Sequence, residues 1–193
     1  MRSSHGFLQT TIFTLIVGTS RAVIHNRDLS LIWSHNPVSV GTPPQVLNVL
    51  LDTTTSDMLF NHGNASGCQT GGKSPCRGGY YDPSKSSTTM GLNFSRCGNA
   101  LGHVFDDGGQ IVAERLTDVV EFGGVSIDNV SFGMSLFNNE TFYGAGLNIV
   151  GLGYSAAEFG YSVWEYSNFL EVLRDSGIIS SRLYSIGVDD AST

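Results

Sequence analysis

The sequence predicts a mainly β fold, and three of its features support this prediction. Glycine makes up 24 of the 193 residues, about 12% against an ordinary share of about 7%. Only 14% of the residues are charged, so the lysines and glutamates that favour helices are scarce. Short apolar runs alternate with turns rich in Gly and Pro, as they do in hairpins. We therefore expect β-hairpins and packed sheets, with one helix near the C-terminal end.

Composition also limits the size of the fold and the class of partner. Hydrophobic residues make up 40% of the chain, which is enough for one packed core. The 17 acidic and 10 basic residues give a net charge of −7. Because no basic surface is available to displace phosphate counterions, nucleic acid is excluded as a partner. The sequence contains no internal repeat and no linker, so we predict a single domain.

The N-terminal residues have the pattern of a signal peptide. Residues 7–20 carry no charge and include an apolar run. Ser20 and Ala22 place small side chains at the two positions that signal peptidase reads, which predicts cleavage after Ala22. A buried strand or a short membrane anchor is the alternative, but the run is shorter than the roughly 20 residues that span a bilayer. We expect no membrane span in the mature chain. We predict that the chain divides into a signal peptide at 1–22, a short N-terminal segment at 23–37 and the main domain at 38–193.

Four glycosylation sequons favour a secreted, extracellular product or one held in the secretory pathway or vacuole. Each Asn-x-Ser/Thr triplet lies in a polar or glycine-rich stretch where a surface glycan fits. Their asparagines are Asn64, Asn93, Asn129 and Asn139.

The three cysteines agree with an oxidising compartment. Cys68 and Cys76 bracket a turn-rich segment, and their spacing predicts a small disulfide loop. Cys97 remains, either as a buried free thiol or in a bridge to another molecule. No pair of His or Cys residues has zinc-finger spacing, so we expect no metal site.

The strongest local pattern is a hairpin around residue 41. Val38 and Val40 alternate with polar residues, and residues 41–44 read Gly-Thr-Pro-Pro. A second apolar run at 46–51 ends at Asp52. This pattern predicts two strands joined by a tight turn, with an acid at the exit of the second strand.

Downstream, the pattern predicts more strands and one helix. Apolar runs or alternation predict strands at residues 111–120, 130–134 and 148–152. Apolar residues at helical spacing predict a helix at 163–176. A capping box of Ser162 and Glu165 would begin this helix, and Gly177 would end it.

The order of motifs along the chain resembles the N-terminal lobe of the pepsin-like aspartic proteases, of the fungal type. Residues 41–45 read Gly-Thr-Pro-Pro-Gln, and residues 52–56 read Asp-Thr-Thr-Thr-Ser where that family has Asp-Thr-Gly-Ser-Ser. The resemblance covers residues 38–193, about four-fifths of the chain. Further matching segments follow in the family's order, at residues 68–76, 81–88, 107–108, 122–124 and 149–153.

The resemblance implies one lobe of a two-lobed β enzyme that hydrolyses peptide bonds without a cofactor. Each lobe contributes one aspartate, and the pair activates a water molecule because two adjacent carboxyls share a proton. The implied partner is a peptide or protein substrate. The implied catalytic residue is Asp52, with loop support from Thr53, Thr55 and Ser56, and the last two occupy the positions whose hydroxyls bond the aspartate in the family. The implied substrate-binding flap consists of Phe105, Asp106, Asp107 and Gly108.

Some residues depart from the family pattern or from a catalytic role. Thr54 stands where the family has glycine, and we expect its branched side chain to resist a tight turn that needs glycine, to distort the catalytic loop and to crowd the facing lobe. Phe105 replaces the flap tyrosine, and Leu59 replaces the tryptophan that usually pairs with that tyrosine. We expect Asp118 to be an ordinary surface acid in a strand.

The catalytic motif occurs once, and this decides the functional prediction. No second hydrophobic-hydrophobic-Asp-Thr/Ser-Gly is present in the sequence. We expect an aspartic endopeptidase lobe that becomes complete with a second lobe or by homodimerisation, and little or no activity from a single chain. The alternatives are a catalytically inactive protein that binds peptides or a partner protein, and a non-functional truncated fragment.

Overall fold

The computed structural model describes residues 9–17, 20–26, 36–69, 76, 78–91, 100–104, 110–138, 148–155 and 166–190. Strands dominate these residues, which confirms the prediction of a mainly β fold. A 3₁₀ turn lies at Pro83–Lys85. The other elements are β1 (Gln9–Val17), β2 (Ser20–Asn26), β3 (Asn36–Val40), β4 (Gln45–Asp52), β5 (Met58–Asn61), α1 (Ser66–Gln69), β6 (Met90–Gly91), β7 (Ala100–Val104), β8 (Gln110–Phe122), β9 (Val125–Asn138), β10 (Asn148–Gly151), α2 (Phe169–Asp175) and β11 (Tyr184–Asp190).

The eight strands from β3 to β10 form one sheet that closes on itself. Neighbouring strands follow the order β3, β4, β10, β5, β9, β8 and β6, and β7 pairs with β8. β3 also pairs with β8, from Val38 opposite Phe122 to Val40 opposite Val120, and this pairing closes the ring. The β4–β10 and β5–β9 pairs are parallel. As a result, β10 lies between β4 and β5 and reaches the point where β4 ends.

The predicted β3–β4 hairpin is present, and its alternation has a direct physical cause. Val38 and Val40 face the core from β3, and Leu47 and Val49 face it from β4, so the polar residues between them are left on the outer side. Gly41 begins the connecting turn with a φ of +85°, a conformation that favours glycine over any residue with a side chain.

The core lies inside the barrel and contains a group of aromatic rings. The ring centroids of Phe60 and Phe132 are 4.9 Å apart, and Tyr81 meets Phe132 edge-on at 5.3 Å. The helix α2 covers one end, where Phe169 meets Phe122 at 5.9 Å. Each fully buried ring stabilises the fold by about 1.5–3 kcal/mol relative to an exposed one.

The helix α2 begins later than the sequence predicts. Residues 166–168 are not helical, and Asn168 is the N-cap of a helix that starts at Phe169. Asn168 and Glu171 form the capping box, whereas the predicted box of Ser162 and Glu165 lies outside the described residues. The predicted stop is confirmed, because Gly177 follows the C-cap with a φ of +72°. No helix in the described ranges is long and apolar enough to cross a membrane.

Residues 9–17 and 20–22, the described part of the predicted signal peptide, have a strand conformation. β1 is the central strand of a separate three-stranded sheet, with β2 on one side and β11 on the other. It pairs with β11 from Gln9 opposite Asp190 to Leu15 opposite Tyr184. This is the conformation of the strand alternative. The predicted cleavage after Ala22 falls within β2, and it stays a prediction about processing.

Candidate active site

The motif turn at residues 52–57 is attached to the end of β10. Asp52 is the last residue of β4 and lies in register with Gly151 of the parallel strand β10. Leu152 N donates to Asp52 O at 2.7 Å, and Gly153 N donates to Thr55 O at 2.8 Å. These backbone bonds hold the turn on both sides, so the position of Asp52 follows from the topology of the barrel.

Two glycines allow β10 to approach the turn this closely. A Cβ atom on Gly151 would lie 2.5 Å from the backbone carbonyl carbon of Ser56 and 2.6 Å from the backbone nitrogen of Asp57. A Cβ atom on Gly153 would lie 2.8 Å from the carbonyl oxygen of Thr55. Because real Cβ atoms do not approach backbone atoms at such distances, both positions require glycine.

The carboxylate of Asp52 is oriented by its own turn. The residue is only 7% exposed. Its Oδ1 accepts a hydrogen bond from Thr54 N at 2.7 Å and another from Thr54 Oγ1 at 2.6 Å. Both donors lie two residues downstream, as in the turns that Asp side chains form with the following backbone. The orientation of Asp52 is therefore set locally.

The prediction that the turn needs the conformational freedom of glycine at residue 54 is wrong, whereas crowding of a facing lobe by Thr54 stays a prediction. Its side chain is exposed, and its hydroxyl donates to Asp52 instead of meeting the turn. Among the described residues other than glycine, only Asn129 has a positive φ. Residue 54 therefore does not need the conformational freedom of glycine, which was the basis of the prediction.

The predicted support from Thr55 and Ser56 takes another form. Both residues are buried. Thr55 Oγ1 accepts from Asp57 N at 3.2 Å, and Ser56 Oγ has no hydrogen-bond partner in the described part of the chain. The expectation that these two hydroxyls bond Asp52 is therefore wrong, and Thr54 does so. A hydroxyl residue two positions after an aspartate was the signal in the sequence for this bond.

Thr53, the third predicted support residue, is exposed and lines a small cleft beside Asp52. The cleft is also lined by Leu152, Gly153, Tyr154, Leu170 and Arg182.

Glu171 supports this cleft through hydrogen bonds, and nothing in the sequence indicated this role. Its carboxylate accepts hydrogen bonds from the hydroxyl of Ser155 and from the guanidinium of Arg182. Its other oxygen accepts from Asn168 N at 3.2 Å. One carboxylate thus joins the segment after β10, the start of α2 and the turn before β11.

The predicted flap residues Phe105, Asp106, Asp107 and Gly108 lie outside the described residues. The strands on either side of them, β7 and β8, pair antiparallel up to Val104 opposite Gln110. Leu59 is buried and packs with Ile111, Ala113 and Ile149 in a small apolar cluster at the base of β8.

Asp118 is a buried acid, so the prediction of a surface position is wrong. The residue is 1% exposed. Its carboxylate accepts hydrogen bonds from Tyr81 Oη at 2.6 Å, Thr88 Oγ1 at 2.6 Å and Val119 N at 2.8 Å. Tyr81 and Thr88 thereby join β8 to the connection at residues 81–89.

Hydrogen bonds decide the ionisation of this acid. Burial raises the pKa of Asp118, but hydrogen bonds from Thr88, Tyr81, Ser86 and the Val119 backbone together lower it below its ordinary value. The pKa of Tyr81 is raised, first by burial and then by its hydrogen bond to the Asp118 carboxylate. The pair is therefore held as a carboxylate and a neutral phenol.

The remaining predicted sites have mixed outcomes. The disulfide between Cys68 and Cys76 is present, whereas Cys97 lies outside the described residues. Asn64 and Asn129 are exposed, and the other two sequons, at Asn93 and Asn139, are likewise outside. No group of three or more His, Cys, Asp or Glu residues that could hold a metal ion occurs in the described ranges.

The sheet forms a closed β barrel, and an oriented aspartate lies on a turn that is hydrogen-bonded to the end of a parallel strand. These features define the class of this protein as an aspartic protease lobe. The sequence pattern of the family described as "Eukaryotic aspartyl protease" matches residues 35–193. The chain belongs to this family, as the resemblance predicted.

Curated relatives agree with the family. A probable aspartic-type endopeptidase opsB of Aspergillus fumigatus is 31% identical over 156 residues, which cover 79% of this chain and 30% of the relative. A probable aspartic-type endopeptidase OPSB of Arthroderma benhamiae is 30% identical over 80% of this chain and 30% of the relative. Candidapepsin-3 of Candida albicans is 31% identical over 77% of this chain and 35% of the relative. The chain thus spans about a third of the length of these relatives.

Proposed function

We propose that this chain supplies one of the two catalytic aspartates of a secreted aspartic-type endopeptidase, and that Asp52 is this residue. The observation that carries the proposal is the Asp52 carboxylate itself, which is nearly buried and held at Oδ1 by two donors of Thr54. An acid that only capped a turn would not need a parallel strand and two obligatory glycines around it.

The chemistry requires a second carboxyl. Two carboxyls a few ångströms apart share one proton, so one accepts a proton from water while the other donates to the peptide carbonyl oxygen. Because Thr54 donates to Oδ1, that oxygen is an acceptor and Oδ2 is the atom proposed to face the shared proton and the water molecule.

The second carboxyl would come from a second lobe or from a second copy of the chain. The surface beside Asp52 supports a covering partner, because Tyr154 in the wall of the cleft is 84% exposed, and Leu183, which follows the cleft residue Arg182 in the chain, is 61% exposed. Large apolar side chains at this level of exposure, next to the exposed Thr53, are typical of a surface that another domain covers.

The test is peptide cleavage by the purified full chain, with its oligomeric state measured in the same samples. We expect pepstatin-sensitive cleavage between about pH 3 and pH 5 in fractions that contain a dimer or an added second lobe. Asp52→Ala should lower this activity by about 10²- to 10⁴-fold. The exposed Asp128→Ala is the matched control and should leave it unchanged. Cleavage by a strict monomer with Asp52 as its sole essential carboxylate would contradict the two-acid mechanism.

A second candidate is a protein that binds peptides without cleaving them. Leu59 favours it, because this buried side chain packs only against aliphatic neighbours in its cluster and offers no group to hold a flap in a catalytic position. Peptide affinity that is equal in the wild type and Asp52→Asn, without cleavage in any assembly, would select this function. A purified chain that neither binds peptide nor unfolds cooperatively would instead be a non-functional fragment.

A further inference from the structure

A cleft away from Asp52 includes a glycosylation sequon in its wall. Its volume is about 480 Å³, within the range of roughly 300–1,000 Å³ that is usual for clefts that hold small ligands. It is lined by His62, Gly63, Asn64, Tyr80 and Asp82.

Asn64 lies on a turn that is anchored at both ends. His62 O accepts from Ala65 N at 2.8 Å, and this bond closes the turn. His62 N donates to Ser135 O at 3.0 Å, and Asn64 N donates to His62 Nδ1 at 3.1 Å. A group attached to the Asn64 side chain therefore starts from a fixed point. Such a group loses less conformational entropy on docking than one attached to a free loop.

An aromatic ring forms the apolar wall of the cleft. Tyr80 is 40% exposed. Its ring lies so close to Gly63 that a Cβ atom there would be 3.0 Å from two ring carbons. Glycine at position 63 thus lets the ring lie directly beside the backbone that carries Asn64. The exposed part of the ring offers a flat apolar surface next to the sequon.

The rim of the cleft is polar. Because His62 Nδ1 accepts from the Asn64 backbone, a neutral ring carries its hydrogen on Nε2 and is a donor there. Asp82 supplies a carboxylate that already binds Ser84 and Lys85 through its oxygens. A flat apolar wall with donors and acceptors at the rim matches a pyranose ring, which has an apolar face and polar edges.

We propose that Asn64 carries an N-linked glycan and that its first sugar docks on Tyr80 in this cleft. A sugar attached to Asn64 is already tethered at the cleft, because Asn64 is part of the cleft wall. Any other ligand would have to bind from solution. The proposal concerns modification and stability, and it does not depend on the proposed proteolytic function.

The sequon at Asn129 provides a contrast within the same molecule. Asn129 is also exposed and borders another cleft, which includes Tyr166. There the guanidinium of Arg115 covers the Tyr166 ring at 3.8 Å from its centroid, whereas the Lys85 ammonium lies over the Tyr80 ring at the longer distance of 5.8 Å, which leaves more space above that ring. A sugar on Asn129 would therefore find its aromatic surface already occupied, and we expect a glycan at Asn129 to stay in solvent.

The first experiment measures occupancy. The full chain is expressed in a eukaryotic secretory host, and glycopeptides are identified by mass spectrometry before and after enzymatic deglycosylation. We expect modified Asn64 in the wild type and its loss in both Asn64→Gln and Ser66→Ala, with Asn129→Gln as the matched control. An Asn64 that carries no sugar would overturn the proposal.

The second experiment measures docking on Tyr80. Under native conditions we expect glycosidase to release the Asn64 glycan about fivefold more slowly than the solvent-exposed Asn129 glycan. Where Asn129 is unmodified, the reference is the release rate of the Asn64 glycan from denatured protein. Tyr80→Leu should remove this protection, whereas Tyr80→Phe should keep it because the ring remains. Circular dichroism of each variant verifies the fold. Equal protection in the wild type and a folded Tyr80→Leu would overturn the docking.

Discussion

The molecule contains two buried aspartates whose surroundings differ in one instructive respect. Asp52 receives its two hydrogen bonds from a single residue of its own turn, and both reach Oδ1. Asp118 receives hydrogen bonds from Tyr81, Thr88 and Val119, and these occupy both of its oxygens. The first acid is oriented and keeps one oxygen for a further bond, whereas the second acid joins β8 to the connection at residues 81–89.

The difference separates a site for chemistry from a site for stability. A carboxylate whose two oxygens are bonded inside the fold contributes to the free energy of folding and has no oxygen to offer a reactant. A carboxylate held at one oxygen contributes less to folding, and its second oxygen can interact with a partner acid. Substitutions at the two positions should therefore have opposite profiles.

The largest expected effect on stability is at Asp118. Asp118→Asn leaves the donors of Tyr81 and Thr88 without a charged acceptor, and we expect it to lower the free energy of unfolding by about 3 kcal/mol. Asp52→Asn should cost less than about 1 kcal/mol, and the exposed Asp128→Asn less than about 0.5 kcal/mol. Urea unfolding of the three variants checks this order. Equal losses at Asp52 and Asp118 would remove the distinction between the two acids.

The next effect tests the phenol that donates to Asp118. Tyr81→Phe keeps the buried ring and removes only the hydroxyl, so we expect a loss of about 1.5–3 kcal/mol, the value of a hydrogen bond to a charged group. The exposed Tyr80→Phe is the matched control and should change stability by less than about 0.5 kcal/mol. In a double-mutant cycle with Asp118→Asn, the Tyr81 effect should shrink, since both changes break the same bond. Additive losses would show that the bond contributes little.

The dependence of stability on pH should have a definite sign at Asp118. Its folded pKa is lowered, so its contribution to stability is present above the ordinary pKa of 3.8 and is lost as the pH falls through the lower folded pKa. We expect the gap in Tm between the wild type and Asp118→Asn to be full at pH 7 and to narrow in strong acid. A gap that widens as the pH falls would mean that the folded pKa of Asp118 is raised.

The comparison also explains how much the sequence could predict. The β3–β4 hairpin and the place of Asp52 at its exit follow from local alternation and a Gly-Pro turn, so they could be found without the structure. The network of Asp118 could not, because Tyr81 and Thr88 lie 37 and 30 positions away in the chain. Contacts at that separation depend on how the barrel closes, and no local pattern encodes that closure.

The start of α2 illustrates a different limit. Apolar spacing extends the predicted helix back to residue 163, but the capping box of Asn168 and Glu171 begins it at Phe169. A second capping pattern, Asn168 and Glu171, is also present in the sequence, and Ser155 supports it from another segment by donating to Glu171. That contact depends on the tertiary fold, so no local pattern could predict it.

A smaller effect is expected at Thr54, where activity and stability should separate. Thr54→Val removes the hydroxyl from Asp52 Oδ1 but keeps the backbone bond, and we expect about a tenfold lower kcat/KM, equal to about 1.4 kcal/mol. Thr54→Ser should retain most of the activity. Because residue 54 is exposed, both variants should keep the wild-type Tm within about 2 °C. A parallel loss of Tm in Thr54→Val would mean that the hydroxyl stabilises the turn rather than orienting the acid.

The smallest effect belongs to a third acid, Glu114, which sharpens the comparison because its pKa shifts the other way. Burial raises the pKa of Glu114, so its stabilising contribution is present below the ordinary pKa of 4.5 and is lost as the pH rises through the raised folded pKa. Glu114→Gln should therefore match the wild type near pH 4 and have a slightly higher Tm at pH 7, whereas the exposed Glu121→Gln on the same strand should match it throughout. This barrel thus accommodates a buried acid in two ways. Hydrogen-bond donors favour the carboxylate at Asp118, whereas Glu114 shifts towards its neutral form. A lower Tm for Glu114→Gln at pH 7 would show that Glu114 belongs with Asp118 instead.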